Sequence, residues 1–211
     1  MTEETYILAL EKAKRDLRER KPNSIAKFSG VQYIQGSVNN GQFRLKFIGR
    51  DYIIDYPSGL VNEQGSTGKE SISVIIVILH YLITADGTVT SNLWIPYRKL
   101  PGGRAFAPAF HRLACQPLVR IFGNDINSFM KAAESLGGNS LDFGDTSFSF
   151  QVFPNQQVAI ILHQAIEEYP ASVNIFFDET AKHYLPTEDW SVVGSILSHR
   201  MLKIKEKENE G

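Results

Sequence analysis

Cysteine is almost missing from this chain: Cys115 stands alone among 211 residues, so no internal disulfide forms and no zinc or cluster site can be built from its thiolates. A reducing, cytoplasmic setting fits that usage. Charge of one sign is also missing. With 22 Lys and Arg against 23 Asp and Glu, there is no broad field to draw in a phosphate backbone or an anionic bilayer, and neither nucleic acid nor membrane is expected as a partner. Long hydrophobic runs are absent too. The longest, "VIIVILHYLI" from Val74 to Ile83, falls short of the ~20 residues that span a bilayer and carries His80, so it reads as a buried core helix. The first twenty residues lack a basic segment followed by an apolar one, and no secretory signal is read there.

A complete phosphate loop is a further absence. "GSTGKES", Gly65 to Ser71, suggests one, but G-x-x-x-x-G-K-[ST] would need glycine at Glu63 and a hydroxyl at Glu70, where a carboxylate would repel phosphate. Thr67-x-x-Glu70 has instead the spacing of a capping box, which predicts that the central helix starts there.

What is present is an ordinary globular composition, 43% hydrophobic and 21% charged. Residues 4–20 carry Tyr6, Leu10, Ala13 and Leu17 on one helical stripe, ended by Pro22-Asn23. Three alternating runs follow, "KFSGVQYIQ", "QFRLKFI" and "DYIIDYP", a β-meander with its first turn at Asn40-Gly41. Beyond the central helix come a short extended piece from Leu93 to Tyr97, the Pro101-Gly102-Gly103 loop and a helix from about Phe106. Pro117 must kink or restart that helix, Gly123 reads as its C-terminal stop, and Asp125 reads as the cap of the next. A second hairpin turns at Pro154-Asn155, and a last helix from Thr187 carries Trp190, Val193, Leu197, Met201 and Ile204. The order is α+β: N-terminal helix, antiparallel meander, buried central helix, further helices, second hairpin and C-terminal helix. One domain is expected over residues 1–204, with 205–211 as a solvated tail.

Two segments carry candidate chemistry. In "WIPYRKLPGGRAF", Trp94 and Tyr97 offer flat faces, Arg98, Lys99 and Arg104 offer positive charge, and Gly102 and Gly103 let backbone N–H groups approach an anion. The second segment holds Glu167, Glu168, Asp178, Glu179, Glu188 and Asp189. Of these, Asp178-Glu179 and Glu188-Asp189 stand where helices should begin, and Glu167-Glu168 lack such a role. His163 lies four residues before Glu167, so His163, Glu167 and Glu168 form a candidate metal set, with His183 joining if the loop folds back. His111 and Cys115 share a helix face without the further partners that would make the thiol a nucleophile.

The segments "LWIPYRKLPGG", "FAPAF", "PLVRIFG", "LGG", "FGD", "VFP", "EEYP", "IFFD" and "YLPTED", in this order, resemble an uncharacterised bacterial and archaeal family catalogued as domain of unknown function 3786. That resemblance implies an association with anaerobes and a link to cofactor or one-carbon metabolism, with an iron–sulfur or corrinoid protein as a possible partner, and it attaches a role to no residue. Where the family commonly has a tryptophan and a Gly-Asp pair before "EEYP", this chain has His163 and Ala165-Ile166. Three readings follow. The first is a non-enzymatic accessory or binding protein for a small anionic or cofactor-like ligand, held between Trp94, Tyr97, Arg98, Gly102, Gly103 and Arg104 and the acidic residues Glu167, Glu168, Asp178, Glu188 and Asp189. The second is a metal-dependent hydrolase or transferase, and the third a protein-interaction module.

Overall fold

The computed structural model describes residues 3–38 and 40–210, and its backbone contacts divide the chain into two compact units. The first comprises Met1–Thr90, Phe153–Asn155 and His183–Leu185. The second comprises Ser91–Val152, Gln156–Lys182 and Pro186–Gly211.

In the first unit, α1 (Glu3–Arg18) buries Ala13 and Leu17 from its apolar stripe. Pro22 opens a further helix, α2 (Pro22–Ser29), because its fixed φ suits the first helical turn and its missing N–H is not needed there. The strand expected from Lys27 therefore starts only at Gln32: Gly30, in the left-handed conformation at φ 73°, closes α2 with its N–H on the Ala26 carbonyl. Strands β1 (Gln32–Gln35), β2 (Gly41–Phe47), β3 (Arg50–Tyr56) and β4 (Val61–Glu63) form an antiparallel sheet in sequence order. The expected two-residue turn at Asn40-Gly41 is not the one used. Gly41 already pairs with Gln35 inside the ladder, and the connection spans residues 36–40. Glycine is needed at 41 for space, since a Cβ there would come within 2.3 Å of the Tyr33 hydroxyl.

Helix α3 (Ile72–Thr84) starts later than the capping-box spacing predicts. Ser71, not Thr67, caps it by accepting from the Val74 N–H, and Glu70 takes the Tyr52 hydroxyl at 2.8 Å and the Ser71 N–H at 2.8 Å. Its run from Val74 to Ile83 is the core of the unit, with Ile78, Leu79 and Tyr81 fully buried. Tyr81 stacks on Phe153 with ring centres 4.1 Å apart and planes within 6°, and Phe153 stacks in turn on Phe47 at 4.7 Å. Its hydroxyl donates to the Ser29 carbonyl at 2.6 Å and accepts from the Asn155 N–H at 3.2 Å, and burial pushes its pKa well above the usual phenol value.

The second unit is a five-stranded sheet in the order β5 (Trp94–Pro96), β9 (Ser172–Asp178), β8 (Gln156–His163), β7 (Thr146–Phe153) and β6 (Asn139–Leu141). Among the described residues the α-helices α4 (Gly103–Phe110), α5 (Gln116–Phe122), α6 (Ile126–Ser135) and α7 (Thr187–Glu210) accompany it. Pro117 does restart the helical run. Residues 111–115 form a π turn in which the Gln116 N–H donates to the His111 carbonyl, just before Pro117, which has no N–H to give, and the Ala114 carbonyl accepts from the Ser198 hydroxyl of α7. Asp125 caps α6 as read, accepting from the Ser128 N–H at 3.0 Å. Gly123 ends α5 in an ordinary right-handed conformation rather than as a left-handed stop. Along α7 the residues Trp190, Val193, Leu197 and Met201 are fully buried, and the helix continues through Glu210, past the stretch read as a tail. We expect Tyr81→Phe, which keeps the stack but leaves the Ser29 carbonyl and Asn155 N–H unpartnered, to lower urea-unfolding stability by about 1–2 kcal/mol, whereas an unchanged midpoint would remove the hydroxyl from the account of this core.

Candidate functional site

The basic segment is a rigid turn. Trp94, Ile95 and Pro96 pair with Asp178, Phe177 and Phe176 at the edge of the sheet. Tyr97 is buried, stacks on Phe110 at 4.2 Å and donates its hydroxyl to the Thr187 carbonyl at 3.1 Å. Burial raises its pKa first, and the nearby Glu188 carboxylate adds to that. Thr187 binds back through its own hydroxyl to the Pro101 carbonyl at 2.7 Å. Gly102 turns the chain at φ 71° with open space where a Cβ would stand, and at buried Gly103 a Cβ would lie 2.2 Å from the Tyr97 carbonyl oxygen. Helix α4 begins at Gly103 with no side chain capping it. Arg98, Lys99 and Arg104 are exposed on this frame, and among the described residues none has a carboxylate within 4.0 Å.

Asp178 is the most tightly held of the acidic candidates. Only 2% exposed, its carboxylate accepts five hydrogen bonds: from the N–H and hydroxyl of Ser91, the N–H of Asn92, and the N–H and hydroxyl of Thr180, at 2.6–3.2 Å. Burial by itself would raise its pKa, but the donors on Thr180, Ser91 and Asn92 together outweigh it and hold the carboxyl below its usual range. Four of these bonds fall on Oδ1 and one on Oδ2, and together they anchor the chain that enters β5. The donors were not singled out in the sequence, although Asp178-Glu179-Thr180 carries the short-range pattern of an Asp accepting from the backbone two residues on. Glu188 is exposed in the first turn of α7 and Asp189 is buried there, as expected for acidic groups at a helix start.

Glu167 and Glu168 are elsewhere. They form the exposed tip of a tight turn closed by mutual backbone bonds between Ile166 and Tyr169, both at 2.9 Å. That turn joins β9 at Ser172, whereas Trp94 pairs at the Asp178 end. Seven residues of strand, about 20 Å at 3.3 Å per residue, separate the two ends. The structure thus sets Trp94 opposite Asp178 and Tyr97 against Thr187, beside Glu188, and leaves Glu167 and Glu168 at the far end of β9. His163 ends β8 near the base of the same turn, where Asp145 pins the chain by accepting from the Gln164 N–H at 2.7 Å. Among the described residues, no group of three or more His, Cys, Asp and Glu side chains is placed to hold a metal ion, the set His163, Glu167 and Glu168 included. His183 instead makes a pair within the first unit, its Nδ1 2.8 Å from Asp86 Oδ2.

Cys115 lies in the π turn and is buried, which pushes its thiol up to about 12. A thiol reagent added to native protein should therefore react negligibly within the time in which urea-unfolded protein reacts fully; rapid labelling of the native state would contradict the buried placement. For Asp178→Ala we expect a loss of about 3 kcal/mol at neutral pH, because five donors lose a charged acceptor. The native pKa is depressed, so the wild type holds this advantage above about pH 4 and loses it as pH falls through the lowered native value. Urea titrations of both proteins across acidic pH should thus converge; a constant gap would show that the charge is not what matters.

Comparison with known proteins adds a family and no activity. No curated protein and no solved structure matched the chain at the significance required. No helix among the described residues is long and apolar enough to cross a membrane. A family model described as a domain of unknown function, DUF3786, matches residues 21–200, which covers the turn, the acidic segment and both sheets, and the chain belongs to that family.

Proposed function

We propose that this chain is a non-enzymatic binding protein that takes an anionic group of a small ligand, a carboxylate or phosphate, on the turn from Tyr97 to Arg104. One observation carries the reading: among the described residues, Arg98, Lys99 and Arg104 stand exposed and without an acidic partner on a turn anchored by buried Tyr97, Leu100 and Gly103. A turn whose backbone is already ordered has met the backbone part of the cost of presenting these cations, which leaves more of the interaction energy for binding. The start of α4 adds N–H groups that no side chain caps, and these favour an anion over a neutral group. Against turnover stands the engagement of several acid, base and nucleophile candidates: Asp178 in five hydrogen bonds, Asp86 with His183, Asp125 as a cap, and Cys115 under protein.

The test is a titration of ¹⁵N-labelled protein with inorganic pyrophosphate and, separately, with citrate. Amide shifts should concentrate between residues 97 and 106, and the double variant Arg98→Ala, Arg104→Ala should weaken binding by about tenfold or more. Glu167→Gln, at the far end of β9, should bind as the wild type does. Shifts scattered over all basic residues, or binding unchanged in the double variant, would sink the proposal.

A further inference from the structure

The outer faces of α5 and α7 leave a groove of about 540 Å³ between them, lined by Pro117, Arg120 and Ile121 on one side and Leu202, Lys205 and Glu206 on the other. Its α7 wall comes from the C-terminal part of the helix whose first residue, Thr187, closes the basic turn. Its apolar lining is open to water, with Ile121 48% exposed. Its three charges are not equivalent. Lys205 is already engaged, donating to Asp125 at 3.4 Å and to the Ser128 hydroxyl. Arg120 and Glu206 are both exposed, and among the described residues neither has an opposite charge within 4.0 Å.

We infer that this groove is the interface of a two-fold homodimer, in which Arg120 of each copy meets Glu206 of the other and Ile121 packs against Leu202. A two-fold interface uses one patch twice, so any charge it buries must be matched by an opposite charge of the same patch, and among the described residues this groove carries one unengaged cation, one unengaged anion and aliphatic side chains on both walls. Other occupants fit less well. A basic or an acidic peptide would satisfy one of the two charges and desolvate the other unpaired, and an apolar small molecule would do so to both, at a cost of several kcal/mol. Two helix faces make a patch at the small end of stable interfaces, so the dimer belongs in the micromolar range, where association is readily measured.

Sedimentation equilibrium of the full chain from about 1 to about 200 µM is the experiment, with circular dichroism melts confirming that each variant is folded. The wild type should follow a monomer–dimer equilibrium. Arg120→Glu and Glu206→Arg should each weaken it by about tenfold or more, and the double reversal should restore it to within about threefold, because opposite charges then meet again. Ile121→Ser should abolish it. A wild type that stays monomeric throughout overturns the inference, as does a dimer that neither single reversal weakens. Two weakened single variants without recovery in the double reversal would overturn the Arg120–Glu206 pairing and the two-fold geometry with it.

Discussion

Asp178 is a charge taken out of water at the end of a strand, and the candidate site depends on how that charge is met. Five hydrogen bonds from Ser91, Asn92 and Thr180 hold the carboxylate ionised while it is only 2% exposed. Because the donors come from the chain just before β5 as well as from the residues just after β9, one buried anion joins segments about ninety positions apart in sequence. The short edge strand β5 is registered by that anchor, with Trp94 opposite Asp178, and the Tyr97–Arg104 turn starts where the strand ends. A buried ion of this kind is costly unless fully met, which makes the arrangement specific as well as stable.

From that anchor the basic turn gains its rigidity through neutral contacts. The Tyr97–Phe110 stack extends to Phe177, which meets Trp190 at 5.4 Å, and Thr187 closes the turn from the start of α7. Hydrophobic packing places the frame, and the positive charges decorate it. This division separates exposed residues, Arg98 and Arg104, from buried ones that the frame packs around, Tyr97 and Gly103.

Much of the fold was legible where side-chain periodicity is strong and local. The stripe of α7 from Trp190 to Met201, the buried run Val74–Ile83, the Asp125 cap, the break at Pro117 and the hairpin at Pro154-Asn155 all follow from spacing or from backbone chemistry that one or two residues impose. The misreadings fall where local signals compete. "KFSG" alternates well enough for a strand, yet Pro22 and Gly30 bracket it as a short helix. Asn40-Gly41 is a strong turn dipeptide, but a Tyr33 ring needed the space that only glycine leaves. Thr67-x-x-Glu70 has capping spacing, and Tyr52 drew the glutamate away to another bond.

The candidate site was legible as a composition and not as an arrangement. The sequence by itself determined that the chain is an α+β protein with near-balanced charge, a single cysteine, a glycine-bearing basic segment and a separate acidic one, because those properties reside in residue types and in spacings of a few positions. Only the tertiary structure decided which acidic residues meet the basic segment. Strand β9 carries Asp178 to the edge beside Trp94 and Glu167-Glu168 to its opposite end, and the pairing of β5 with β9 sets that difference through hydrogen bonds between residues more than eighty positions apart. Neighbours along the chain become about 20 Å apart when a strand lies between them, and no local pattern reports which distant strand will stand alongside.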